Sequence, residues 1–255
     1  MNSLQGLRVL NTRPVEQAKA LSQAIETAGG TAIECPALTI VPTSRAWLSS
    51  LPVLHKVDQA IFVSANAVTH FFTSLKQERL QWPSTIQIIA IGPATATALA
   101  QYHIRVDWIP AITDSEHLLK LEIMRAIHHK TILLIKGEEG RDVLEKGLTA
   151  RGTNLIPVNV YRRQLPEPNP QYISSLWHND AVDIILFTSE QAMNNLFTLF
   201  GEEAYTWLCS KPGLVISKRL AEAAALAGIQ TILVSSPENL LKTLYQFNQG
   251  LIHGQ

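Results

Sequence analysis

The sequence predicts an α/β protein of two similar doubly wound domains with parallel sheets, the product of an internal duplication. Three observations carry that prediction. Strand-like runs such as Gln59-Ala60-Ile61-Phe62-Val63 are apolar nearly from end to end, as parallel strands covered on both faces must be. Each run leads through a polar or glycine-containing loop into a stretch of helical period. The pattern then recurs at an offset of 125 residues.

In chain order, Leu7-Arg8-Val9-Leu10 reads as the first strand and Asn11-Thr12-Arg13-Pro14 as its loop, after which Ala18, Leu21 and Ile25 share one helix face. Gly29-Gly30 stops that helix, because glycine tolerates the left-handed conformation past a helix end, and Thr31-Ala32-Ile33 resumes an extended run. The unit is βαβ. The strand at 59–63 leads through Ser64-Ala65-Asn66 into a helix carrying Phe71 and Leu75. A strand at 86–91 leads through Gly92-Pro93 into an alanine-rich helix that ends near Gln101.

Phe62-Val63-Ser64 matches Phe187-Thr188-Ser189 at the repeat offset, and Ile91 and Ala96 match Ile216 and Ala221. With small shifts, Ala28-Gly29-Gly30-Thr31 pairs with Ala150-Arg151-Gly152-Thr153, and Ser115-Glu116-His117-Leu118-Leu119 with Pro237-Glu238-Asn239-Leu240-Leu241. The first copy covers about 1–128, so each copy has the size of one domain, and two domains facing across a cleft are expected. The proline-marked segments 35–42 and 157–170 read as linkers and hinges, since proline interrupts helices and central strands alike.

Composition narrows the function. The 255 residues are 46% hydrophobic and 16% charged, which excludes a disordered chain. Lys plus Arg and Asp plus Glu both number 21, so nothing supplies the electrostatic attraction a nucleic-acid binder needs. Cys35 and Cys209 form no CxxC pair and are expected as free thiols in a reducing compartment. The N-terminus lacks a long apolar stretch after basic residues, and the longest apolar runs, 132–135 and 184–187, are far too short to span a bilayer. A cytoplasmic protein is expected.

Small polar residues fill the places where strands end and helices begin: Asn11-Thr12, Ser64-Ala65-Asn66, Gly92-Pro93-Ala94-Thr95, Gly137, Thr188-Ser189 and Ser217. Any one of them is explained as a helix cap. Together, at the carboxyl ends of parallel strands, they suggest a site for a polyanion held by backbone N–H groups. Gly92-Pro93-Ala94-Thr95 is not GxGxxG, and the stretch from Lys136 to Arg141 lacks the ending of a P-loop, so nucleotide binding is disfavoured. No GxSxG, HExxH or recognisable carboxylate pair is present. Adjacent His128-His129 would point about 100° apart on a helix, which suits a solvated helix end better than a metal site. Arg13, Arg141, Arg162, Arg163 and Arg219 lie near loops or linkers, where surface ion pairs are the ordinary role; carboxylate binding favours Arg13, which precedes a helix. Tyr161, between prolines, suits packing as well as chemistry.

Taken together, these motifs have a known counterpart. Asn11-Thr12-Arg13-Pro14, Phe62-Val63-Ser64-Ala65-Asn66-Ala67-Val68, Ile91-Gly92-Pro93-Ala94-Thr95-Ala96, Ser115-Glu116-His117-Leu118-Leu119, Gly137-Glu138-Glu139-Gly140-Arg141, Val160-Tyr161-Arg162-Arg163 and Phe187-Thr188-Ser189 are specific in combination. Over nearly its full length the chain resembles the uroporphyrinogen-III synthase family. The resemblance implies a two-stranded linker at 37–42 and 157–167, a discontinuous first domain of 1–36 and 168–255, and a second domain of 43–156. It implies a lyase of porphyrin biosynthesis that cyclises hydroxymethylbilane, with loss of water and inversion of ring D, to uroporphyrinogen III. No cofactor and no metal are implied. Tyr161 is implied as the residue near the leaving hydroxyl, with Arg13, Ser64, Asn66, Gly92, Thr95, Gly137, Thr188 and Ser189 as substrate-binding groups. In the second copy Ile216-Ser217-Lys218-Arg219 stands where many members repeat a Gly-Pro-x-Thr-Ala pattern, so the hydroxyl's role there passes to Ser217. Such a substrate carries eight carboxylates and needs placement more than strong acid or base, which agrees with the sparse catalytic inventory. The partner is then a small polycarboxylate tetrapyrrole, with neither nucleic acid nor membrane, acting on a monomer. Competing readings are a noncatalytic bilobed binder of anionic metabolites and a nucleotide-sugar glycosyltransferase.

Overall fold

The computed structural model describes residues 3–140, 142–167 and 169–253. Arg141 and Pro168, the first a candidate anion ligand and the second an expected domain boundary, lie outside the described residues. The chain opens with β1 (Arg8–Asn11), α1 (Val15–Thr27) and β2 (Thr31–Glu34). It continues with β3 (Thr39–Pro42), β4 (Gln59–Phe62), α2 (Ala65–Gln77), β5 (Gln87–Ala90), α3 (Pro93–Ala100), α4 (Ser115–Leu118), β6 (Thr131–Gly137), α5 (Val143–Thr149) and β7 (Asn154–Gln164). The remainder is α6 (Pro170–His178), β8 (Ile184–Phe187), α7 (Glu190–Phe200), α8 (Tyr205–Ser210), β9 (Gly213–Val215), α9 (Lys218–Leu226), β10 (Ile232–Val234) and α10 (Leu240–His253).

Two compact units result. One combines the residues through Thr39 with those from Gln164 onward; the other is Ile40–Arg163. In the first, the strands run β10-β9-β8-β1-β2 and every neighbouring pair is parallel. β1 lies between β2 and β8, with Val9 opposite Ala32 on one side and Ile184 on the other. In the second, the order is β3-β7-β6-β4-β5, with β7, β6, β4 and β5 mutually parallel.

The duplication is visible in these orders. Reading β2-β1-β8-β9 against β7-β6-β4-β5 superimposes the repeat on itself, so β1-α1-β2 stands to β8 as β6-α5-β7 stands to β4. The fifth position, β10 in the first unit, shrinks in the second to a single parallel bridge between Ile89 and Trp108. All four residues of β4 and of β8 are buried, because helices cover both faces. Phe62 of β4 meets Phe71 and Phe72 of α2 with ring centroids 5.7 Å away in each case, and its counterpart Phe187 sits in a core with Leu10, Met193 and Leu196.

The expected helix end at His128-His129 needs correction, whereas the proline-marked segments are extended strands within which the boundaries of the two units fall: Thr39–Pro42 is β3, paired to β7, and β7 runs through Pro157. The four residues of β3 pair with only part of the eleven of β7, and a strand so partly covered can hold a proline. Pro170 opens α6, where its missing N–H would be unused, and Asn169 Oδ1 accepts from the Gln171 N–H at 2.9 Å. His128-His129 forms a turn before β6, with His129 at φ 62°, because the preceding segment sustains only a short 3₁₀ turn at Glu122–Met124. Cys35 and Cys209 are buried free thiols, and burial pushes Cys35 up to about 12. No helix among the described residues is long and apolar enough to cross a membrane.

Candidate active site

In the second unit the carboxyl ends of β4, β6 and β7 bring Ser64, Gly137 and Tyr161 together. A bulge between β6 and β7 aims the tyrosine: Lys136 faces Asn159, yet the next residue, Gly137, faces Tyr161 rather than Val160. Because side chains alternate with period 2, one extra residue changes which way Tyr161 points. The ring then lies against Gly137, where a Cβ would come within 2.8 Å of Cε2 and Cζ, so only glycine leaves room. Ser64 is the N-cap of α2, its Oγ accepting from the Ala67 N–H at 3.0 Å, and the same oxygen lies 3.2 Å from the Tyr161 hydroxyl. His70, further along α2, stacks on the Tyr161 ring at 5.9 Å and 28°; burial lowers the imidazole's pKa and favours its neutral form.

Beside the phenol is a cavity of about 180 Å³, lined in part by Ser64, Lys136, Gly137, Glu145, Tyr161 and Arg163. Lys136 follows the apolar run 132–135 as the next-to-last residue of β6 and forms an ion pair with Glu145 of α5; their side chains are 13% and 33% exposed. Sequence reasoning passed over Lys136, Glu145 and His70. The available signal was a lone cation closing the apolar run Ile132-Leu133-Leu134-Ile135. Arg163, assigned there to an ordinary surface pair, lines the cavity.

Gly92 and Thr95 open α3 at the end of β5. Pro93 has no N–H, and the N–H groups of Thr95 and Ala96 both bond to Gly92 O at 3.1 Å, which leaves Ala94 as the donor directed away from the helix. Thr95 itself is 3% exposed. Asn66 is half-buried at the second position of α2.

The first unit repeats this arrangement. Ser189 caps α7, accepting from Ala192 N–H at 3.1 Å, and Ser217 caps α9, accepting from Leu220 N–H at 3.2 Å. Thr188 precedes Ser189 and is half-buried, whereas Ser217 is exposed. Asn11 and Thr12, read as residues of a helix-start loop, turn inward instead. Asn11 Nδ2 donates to Ser22 Oγ at 3.1 Å, Thr12 Oγ1 donates to Leu186 O at 2.6 Å, and α1 starts after Pro14 with no side-chain cap. Their polar groups tie the end of β1 to α1 and β8, a role only the neighbouring strand can create. Arg13 is half-buried with its Nε unpartnered, and burial lowers its pKa.

A family model described as uroporphyrinogen-III synthase HemD matches residues 19–241. The uroporphyrinogen-III synthase of Salmonella typhimurium is 29% identical over 235 residues, 90% of this chain and 95% of that one. A putative uroporphyrinogen-III synthase of Methanothermobacter thermautotrophicus is 30% identical over 197 residues, covering 74% and 76% of the two chains. Among solved structures, a mutant uroporphyrinogen III synthase from Thermus thermophilus aligns with TM-score 0.64 at 19% identity over 97% of this chain and all of that one. The Helicobacter pylori uroporphyrinogen-III synthetase gives 0.63 at 18%, over 96% and 99%. At such identities the structures speak for the fold.

Proposed function

The chain belongs to the uroporphyrinogen-III synthase family, and from that premise we propose that Tyr161 assists hydroxyl departure in the family's reaction. The enzyme is a lyase of porphyrin biosynthesis that cyclises hydroxymethylbilane, with loss of water and inversion of ring D, to uroporphyrinogen III. The C–O bond of the hydroxymethyl group breaks and water leaves; the resulting azafulvene carbon bonds to ring D at the α-carbon that already carries the bridge to ring C, that older bridge bond breaks and re-forms at ring D's other α-carbon, and this carbon gives up its proton, so the ring closes with D inverted. Placement of the two ends supplies most of the acceleration.

One observation carries the assignment: the Tyr161 hydroxyl lies 3.2 Å from Ser64 Oγ at the edge of the cavity. Because Ser64 Oγ already accepts from a backbone N–H, its own proton is available to Tyr161 Oη. The phenolic proton is then free to donate to the departing oxygen. Asn66, Gly92, Gly137 and the free Ala94 N–H of the turn that holds Thr95 receive substrate carboxylates, while Ser64 directs its proton to Tyr161; Arg13, Thr188, Ser189 and Ser217 are the corresponding candidates of the other unit. Arg13 contributes most among the latter, since its Nε lacks a partner. On this reading the enzyme is a cytoplasmic monomer with no nucleic-acid or membrane partner, in keeping with equal numbers of acidic and basic residues.

The test is turnover of freshly prepared hydroxymethylbilane, with product isomers resolved by chromatography. The purified chain yields the type III isomer without added metal or nucleotide; formation of the spontaneous type I isomer alone would contradict the assignment. Tyr161→Phe lowers kcat by about 10²-fold or more while leaving KM near the wild-type value. A Phe variant with unchanged turnover removes the phenol from the chemistry.

A further inference from the structure

We propose that Lys136 is a specificity-determining residue that receives one carboxylate arm of the tetrapyrrole in the cavity beside Tyr161. The inference rests on the reaction assigned above. Lys136 places a cation among the most enclosed side chains of its kind, 13% exposed, at the end of a strand whose preceding residues Ile132, Leu133, Leu134 and Ile135 are all buried. An ammonium so far removed from water needs a hydrogen-bonded counter-charge, and Glu145 on α5 supplies one. The pair lines the same cavity as Ser64 and Tyr161, so an anion held by Lys136 lies within a side chain's length of the phenol.

Size and lining together identify what enters the space. A cavity of about 180 Å³ is below the range that encloses whole drug-sized ligands and so takes one part of the substrate, and the Lys136 and Arg163 cations on its wall favour a carboxylate arm over an apolar ring. Arg163, half-buried on the same wall, is a second cation, and because Glu139 and Glu145 also line the cavity the arm is held by directed N–H donors rather than by net charge. An ammonium has three N–H donors and Glu145 Oε1 takes one, so the carboxylate joins the pair instead of breaking it. Since each arm is bonded to a ring, holding one arm fixes that ring relative to Tyr161 Oη. The contact converts binding energy into placement.

Lys136→Met, Lys136→Arg and Glu145→Gln in the full chain provide the test, read through steady-state turnover of hydroxymethylbilane, uroporphyrinogen III affinity and melting temperature. Lys136→Met raises KM and weakens product binding by on the order of 10- to 100-fold, with a smaller fall in kcat, and Lys136→Arg recovers most of the loss. Glu145→Gln removes the competing anion and tightens product binding, whereas a merely structural pair would show lowered melting and no tightening. A folded Lys136→Met protein with unchanged KM and product affinity overturns the proposal. If that variant does not fold, unchanged or weakened product binding by Glu145→Gln overturns it. A wild-type chain that makes no type III isomer defeats the assigned reaction itself, an outcome distinct from failure of the Lys136 contact alone.

Discussion

His70 shows how one side chain connects packing to pH. Its ring stacks on Tyr161, and burial holds its pKa below the ordinary value of 6.5. In the unfolded chain the imidazole takes up a proton as pH falls through that ordinary value, while in the folded chain it resists doing so. The unfolded state therefore binds more protons there, and stability that is present above pH 6.5 is lost as pH falls through the lower folded pKa. We expect the wild-type denaturation midpoint to drop between pH 7.5 and a mildly acidic pH by more than that of His70→Phe, which keeps an aromatic face but cannot titrate. Equal drops in the two proteins would show that His70 is not the group responsible. The carboxylates held low by hydrogen bonds act in a separate, more acidic window; burial raises Asp183, but its bonds to Arg8 outweigh that and hold it below the usual range.

At the scale of elements, β1 must dock against a strand that is remote in sequence, and a forked contact fixes its position. Asp183, just before β8, accepts from the Arg8 backbone N–H at 2.7 Å, from Arg8 Nε at 3.0 Å and from Nη2 at 2.6 Å, while its own N–H donates to Arg8 O at 2.9 Å. The side chains are 39% and 27% exposed, so solvent screens much of the attraction and Arg8→Ala should cost about 1 kcal/mol in urea unfolding. Asp183→Ala should cost more, because it also strips a backbone N–H of its acceptor. Equal effects would mean the backbone bond contributes nothing. The helix caps behave differently: Ser64, Ser189 and Ser217 each stabilise a helix start whether or not a ligand is near, which is why their spacing was readable before any site was known.

For the molecule as a whole, the two units differ in how the chain supplies them. Ile40–Arg163 is continuous in sequence and contains β4, β5, β6 and β7 with their covering helices. The other unit draws β1 and β2 from the N-terminus and β8, β9 and β10 from the C-terminal portion. We expect a fragment of residues 40–163 to melt cooperatively by itself. A fragment of 164–255 should not, since losing β1 exposes one side of β8, whose four residues are all buried, and adding 1–39 in trans should restore its folding. Cooperative unfolding of 164–255 without the added segment would show that β1 is dispensable to this sheet.

The class of fold, the helix starts and the candidate tyrosine follow from the sequence because each is written in residues close together, and the duplication because the same local pattern recurs 125 residues further on. Apolar strands, the Gly29 stop and capping serines act over a few positions, and the family motifs carry Tyr161 with them. Asn11 and Thr12 were misread for the complementary reason: whether a polar residue caps a helix or turns inward depends on the strand beside it, here β8, some 170 residues away. The β7 bulge that orients Tyr161 involves a register with β6 that no local pattern encodes. Lys136 and Glu145 become neighbours only once β6 and α5 pack. The pairing of β1 with β8 was beyond the repeat as well, because duplicated strands present equivalent edges and only tertiary packing selects which copy each edge receives.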